Sequence, residues 1–220
     1  MGITFEDIRN SPEIRTYITQ ADASLLARGF TEHSFAHVTK CAETASSLLK
    51  DLGYDEHLQD LAKIAGFMHD IGNVVNRHDH AISGATMAFR ILDHMGMPPI
   101  DVAAVVSAIG HHDDPIAFPV NAIAAAVILA DKTDVRRSRV RNRETIRFDI
   151  HDRVNYAVEK SDLKLDTDAK TLTLDLNINT EVSPVVDYFE IFLDRMMLCR
   201  RAAEFFGLTF RLIINGAPLM

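Results

Sequence analysis

The chain has 220 residues, 47% hydrophobic and 25% charged, with 10 Gly and 7 Pro, enough apolar mass for one medium domain or a main domain with a small appendage, and it excludes disorder, collagen-like repeats and low complexity. The longest unbroken apolar run, Ala122 to Ala130, is nine residues against about 20 for a membrane span, and Met1 to Glu13 holds no apolar stretch, so the sequence reads as a cytoplasmic protein with no membrane partner. A net charge of −8 argues against general nucleic-acid binding, and the separate Cys41 and Cys199 imply buried thiols rather than a disulfide framework.

Up to about residue 160 the apolar residues recur at helical spacing, with breaks at Arg28-Gly29, Asp51 to Gly53, Ile71-Gly72, Gly96 to Pro99 and Asp113 to Pro119, which predicts six or seven helices. From Ser161 the period becomes two. Leu163 and Leu165 alternate, a turn follows at Asp166 to Lys170, and Leu172, Leu174, Leu176 and Ile178 alternate again, which is a hairpin. Pro184 opens an amphipathic helix to Phe206, and Leu208, Phe210, Leu212 and Ile214 form a last strand. The expected organisation is mainly α: a helical domain over 1–160 and a small ββαβ unit over 161–220.

Ten histidines raise the question of ligands, and most lone buried histidines are satisfied core residues. Four His-Asp dipeptides occur, but only His69-Asp70 ends an apolar helix, LAKIAGFMHDIG, with Leu58, Leu61, Ala62 and Ala65 placing His69 on the buried stripe. His37 shares a face with Cys41, Thr44, Ala45 and Leu48. Asp131 follows AIAAAVILA, where an ionised carboxylate costs several kcal/mol unless a cation or strong donors meet it. His80 shares a face with Gly84, Met87 and Ile91, and His111 and His112 end the helix from Asp101 to Gly110. Seven inward ligand-type residues from five helices cannot all find partners on apolar stripes. Imidazoles and carboxylates without thiolates suit Mn, Fe, Ni, Co or Zn in five or six coordination, a catalytic centre rather than a closed structural zinc site.

The order His37, His69-Asp70, Asp131, each on its own helix, resembles the HD superfamily of metal-dependent phosphohydrolases, whose signature is H…HD…D on an all-helical core. The resemblance runs from about Ser24 to Thr133; Val38 and Cys41-Ala42 after the first His, the HDIG box ending at Ile71-Gly72, and Ala130-Asp131-Lys132 agree with it. It implies a metal site of His37, His69, Asp70 and Asp131. His80, in HAISGA, and His111-His112 look like the added ligands of the binuclear branch, with Asp70 bridging two divalent ions; either both of the histidine pair bind or one of them only supports a ligand. Asn73 stands where the HD-GYP type has Lys, and no GYP follows His112-Asp113-Asp114-Pro115, so cyclic di-GMP is not the implied substrate. His33, one turn before His37, either adds a ligand or steadies one.

What the resemblance implies chemically is hydrolysis of a nucleotide or another small phosphate ester or anhydride by a metal-activated hydroxide. Residues 132 to 147 reverse the overall charge: Lys132, Arg136, Arg137, Arg139, Arg141, Arg143 and Arg147 against Asp134 and Glu144. Such a run is either a solvated face or a phosphate site. Lys132 is expected to act beside Asp70 in catalysis and, with Arg136 and Arg137, to hold substrate phosphate; Lys132 and Arg136 share a face if the helix continues, and the alternative for Lys132 is an ion pair with Asp101, Asp113 or Asp114. Two rival readings stand: a mixed-valent di-iron oxygenase on the same ligand set, and a metal-bearing sensor or partner-binding module using the ββαβ unit. A homo-oligomer is compatible with each.

Overall fold

The computed structural model describes residues 2–113, 117–141 and 149–220, and the chain divides into two compact units, Met1–Asp131 and Lys132–Met220. The first unit is helical: α1 (Phe5–Asn10), α2 (Pro12–Ala27), α3 (Phe35–Asp51), α4 (Glu56–Met68), a 3-10 turn (Ile71–Val74), α5 (His80–His94), α6 (Pro99–Gly110) and α7 (Ala122–Lys132), whose last residue begins the second unit. With α8 (Ile150–Ala157), eight α-helices precede residue 160 among the described residues, more than the six or seven expected. The break between α1 and α2 escaped the periodicity. Ser11 closes α1 and caps α2 by accepting from the Ile14 amide, and Pro12 starts the new helix without needing a donor.

Capping sets the helices that matter for the site. Ser34 accepts from the Ala36 amide to start α3, and Asp55 accepts from the Leu58 amide to start α4. The two helices then touch closely at Gly66, where an added Cβ would lie 2.9 Å from the Ala42 Cα, so the missing side chain lets the backbones approach. The core between them is apolar: Val38, Ala42, Ala45 and Leu49 from α3, and Leu61, Ile64, Ala65 and Met68 from α4, are buried.

The second unit opens with a 3-10 turn (Arg137–Arg139), α8 and β1 (Val158–Asp166), and continues with β2 (Thr171–Ile178), α9 (Val185–Phe205), β3 (Thr209–Ile214) and β4 (Ala217–Pro218). β1 begins ahead of Ser161, and the expected ββαβ unit carries a two-residue fourth strand. The sheet order is β1-β2-β3-β4; β1 and β2 form the antiparallel hairpin, with Leu163 opposite Leu174 and Leu165 opposite Leu172. β3 lies parallel to β2, which the crossover through α9 permits. Leu172, Leu174, Leu176, Phe210, Leu212 and Ile214 alternate onto the buried face, and Tyr188, Phe192, Met196 and Cys199 of α9 are buried with them. Among the described residues, no helix is long and apolar enough to cross a membrane.

Candidate metal centre

Five helices of the first unit deliver donors to one place. α3 carries His37 and the end of α4 carries His69-Asp70; beyond them the chain turns through the 3-10 segment and α5 begins with His80. That turn is locked by Gly72, where an added Cβ would lie 2.0 Å from the His80 carbonyl oxygen and 2.4 Å from the Gly84 amide. No other residue allows α5 so near the His69-Asp70 corner. Asp79, before His80, takes the left-handed conformation at φ 58°, which Asp tolerates better than most residues. α6 stops at Gly110 with His111 as its cap, His112 turns inward, and α7 brings Asp131.

The ring orientations are set by backbone carbonyls. His69 Nδ1 lies 2.8 Å from Gly66 O, His80 Nδ1 3.0 Å from Arg77 O, and His112 Nδ1 2.6 Å from Ile109 O. With Nδ1–H donating in each case, the Nε2 lone pairs face the cluster. His80 Nε2 then stands 3.2 Å from His112 Nε2, 3.4 Å from Asp70 Oδ1 and 3.3 Å from Asp113 Oδ2. On the other side, His37 Nε2 is 3.4 Å from Asp131 Oδ1 and 3.6 Å from Asp70 Oδ2, and His69 Nε2 is 3.2 Å from Asp70 Oδ2 and 3.8 Å from Asp131 Oδ1. Donors bound about 2.1 Å from one ion are separated by roughly 3 to 3.5 Å, so both sets have coordination spacing. Asp70 turns one carboxylate oxygen to each set.

Two atoms of this cluster, His69 Nε2 and Asp70 Oδ2, are buried without a hydrogen-bond partner. Asn73, fully buried, donates its Nδ2 to Asp70 Oδ1 at 2.8 Å and holds that carboxylate in place. Burial acts to lower the His69 pKa, but the charges of Asp70 and Asp131 outweigh it and push it up to about 9. Burial acts to raise the Asp70 pKa, and the surrounding histidines, His69 foremost, hold it well below the ordinary carboxylate range. Without a metal, a proton on His69 supplies the positive charge that the carboxylates need. A divalent ion would do so better.

The sequence-predicted ligands His37, His69, Asp70, His80, His112 and Asp131 come together here. His111 does not: its ring is exposed and its Nδ1 rests 2.9 Å from Ser107 O. Asp113 stands in that place, grouped with His80 and His112; it lies beyond the helix, where no period indicates direction, so the sequence offered no signal for it beyond its neighbours. His33 packs edge-on against the His37 ring, centroids 5.5 Å apart, with Nδ1 on Thr31 O at 2.7 Å. Cys41 Sγ is 3.7 Å from both ring nitrogens of His37, hence beside the ring rather than along its Nε2 lone pair.

The basic window is built differently from expectation. α7 ends at Lys132, which is buried, and Arg136 is extended (φ −159°, ψ 148°), so the two do not share a helix face. Arg136 donates Nε to Asp134 Oδ1 at 2.9 Å, and the buried Arg139 donates to Asp134 O at 3.0 Å. Arg137 donates to Tyr156 O at 2.7 Å, lies over the Tyr156 ring at 4.6 Å, and pairs with Glu159 at 3.3 Å. Arg141 is exposed. Arg143, Glu144 and Arg147, together with Asp114, lie outside the described residues.

The model of the HD domain family matches residues 34–153, more than half of the chain. The chain belongs to the HD domain family. The matched stretch includes His69-Asp70 and an α-helical core, and HD domains are for the most part metal-dependent phosphohydrolases that bind divalent ions. The chain is 31% identical over 112 residues to Ribonuclease Y of Opitutus terrae, a stretch that is 51% of this chain and 20% of that protein. The chain thus matches about a fifth of the length of that curated relative.

Proposed function

We propose that this HD domain is a phosphohydrolase of a nucleotide or another small phosphate ester or anhydride, working with two divalent ions from among Mn, Fe, Ni, Co and Zn. The observation that carries the reading is the pair of buried, unpartnered atoms His69 Nε2 and Asp70 Oδ2, 3.2 Å apart, where two donor sets meet. In the metal-free protein a proton on His69 offsets the carboxylates, and a divalent ion is the partner that both a lone pair and a carboxylate accept. Bound there, the ions would polarise a phosphoryl group and acidify a water. Asp70, with one oxygen toward each set, would serve both; His37, His69 and Asp131 would hold one ion, and His80, His112 and Asp113 the other. Lys132, next to Asp131 in the chain, is proposed to offset charge on the transferred phosphoryl group. The ribonuclease relative places an RNA phosphodiester on the panel of substrates to be tried.

The test is metal analysis of protein purified without chelator, joined to a hydrolysis screen of nucleotides, short RNA and simple phosphate esters under Mn²⁺, Fe²⁺ and Zn²⁺. Two ions per chain and phosphate release that EDTA abolishes are expected. Iron-loaded protein that consumes dioxygen and releases no phosphate overturns the reading in favour of an oxygenase; full metal with no turnover of either kind favours a sensor.

A further inference from the structure

We propose that Arg77 is the anion-binding cation of this centre and takes hold of the substrate's phosphoryl oxygens, an assignment that rests on the phosphohydrolase reading. Arg77 lies between the 3-10 turn and α5, and its guanidinium reaches the second donor set from the edge. One terminal nitrogen is 3.4 Å from His80 Nε2, 3.4 Å from Asn73 Oδ1 and 3.8 Å from Asp70 Oδ1, and the other is 3.3 Å from Asp113 Oδ2. The side chain is 22% exposed, whereas those of His80 and Asp70 are 4% and 6% exposed. The guanidinium therefore lies between the buried donors and solvent.

Three features separate this contact from a structural ion pair. A charge-assisted guanidinium pair closes to about 2.7 to 2.9 Å, commonly with two parallel bonds to one carboxylate; every Arg77 contact is longer, and one nitrogen is shared among His80, Asn73 and Asp70 while the other meets Asp113. Three of the four partner atoms, on His80, Asp70 and Asp113, are also ones assigned to the ions. Once divalent charge sits on Asp70, His80 and Asp113, their attraction for Arg77 falls and the guanidinium is repelled toward incoming anions. Finally, a planar fork of five donors fits tetrahedral phosphate oxygens better than it fits a ring nitrogen. Arg77 thus holds a provisional place among the carboxylates until a phosphate takes it.

The experiment compares wild type, Arg77→Ala and Arg77→Lys, each loaded with Mn²⁺, by calorimetric titration with inorganic phosphate, alongside metal content and thermal midpoint. Arg77→Ala is expected to weaken phosphate binding at least tenfold with metal content unchanged, and Arg77→Lys to recover only part of it, because Lys keeps the charge but loses the fork. Wild type that binds phosphate together with an Arg77→Ala variant that binds it equally well overturns the Arg77 assignment and leaves the phosphohydrolase reading standing. Loss of metal from both variants also overturns it, since Arg77 would then only brace the ligands. Metal-loaded wild type that binds no phosphate overturns both.

Discussion

The histidine and aspartate cluster of the first unit and the arginine window of the second are both dense in charge, yet they are satisfied in opposite ways. In the window, Asp134 holds Arg136 and stands beside Arg139, while Arg137 is spent on Tyr156 and Glu159. In the cluster, backbone carbonyls take the outer nitrogens of His69, His80 and His112 and leave the inner ones facing carboxylates and one another. Charge that finds its partner inside the fold serves the fold. In the cluster two buried atoms, His69 Nε2 and Asp70 Oδ2, have no hydrogen-bond partner, which is the mark of a place for a ligand.

The contrast breaks most sharply at Asp70. Asp70→Ala removes the donor common to both sets, so loss of most bound metal and of all hydrolysis is expected; retained metal with normal turnover would sink the assignment. Gly72→Ala should be nearly as damaging by another route, because the new Cβ meets backbone at 2.0 and 2.4 Å and must lift α5 with His80. A loss of several kcal/mol in urea denaturation, with metal stoichiometry falling toward one, is the expected result. Next, His80→Ala and Asp113→Ala should each leave about one ion per chain and depress kcat far more than stability, and His111→Ala should leave metal content unchanged.

In the window the expected currency is stability rather than metal. Asp134→Ala removes the carboxylate that holds Arg136 and stands beside Arg139 and should cost about 1 to 3 kcal/mol in denaturant unfolding, with the metal content intact. Arg141→Ala, exposed, should shift stability by less than about 0.5 kcal/mol. A milder effect separates the metal-free from the loaded protein. The folded His69 pKa of about 9 lies above its ordinary 6.5, so the metal-free protein has this contribution in full below pH 6.5 and loses it as pH rises through 9. The thermal midpoint of chelator-stripped protein should fall across that window, and that of protein saturated with metal should not.

Most of the cluster was legible because it sits on helices. The 3.6-residue period decides which way His37, His69, His80 and Asp131 face, and apolar neighbours on the same stripe announce burial. His111 and His112 were not separable, since they follow the last turn of α6 and the direction of each depends on the residue at which the helix stops. Asp113 and Arg77 lie in irregular segments where no period operates. The arginine window misled for a related reason: extending α7 past Lys132 put Lys132 and Arg136 on one face, whereas the chain leaves the helix there and Asp134 holds Arg136 and stands beside Arg139.

The carbonyl anchors on the three imidazoles also bear on which cation the cage prefers. A ring held at Nδ1 can neither swing away nor flip, so the distance between opposing nitrogens is a property of the backbone. A cage of this kind would sort ions by radius as well as by affinity. Calcium, which asks for six to eight oxygens at about 2.3 to 2.6 Å, would have to spread helices to enter, whereas ions bound near 2.1 Å fit as the helices stand. Among those smaller ions affinity alone favours copper, so in a cage of this kind supply in the surroundings would decide the occupant as much as the cage itself.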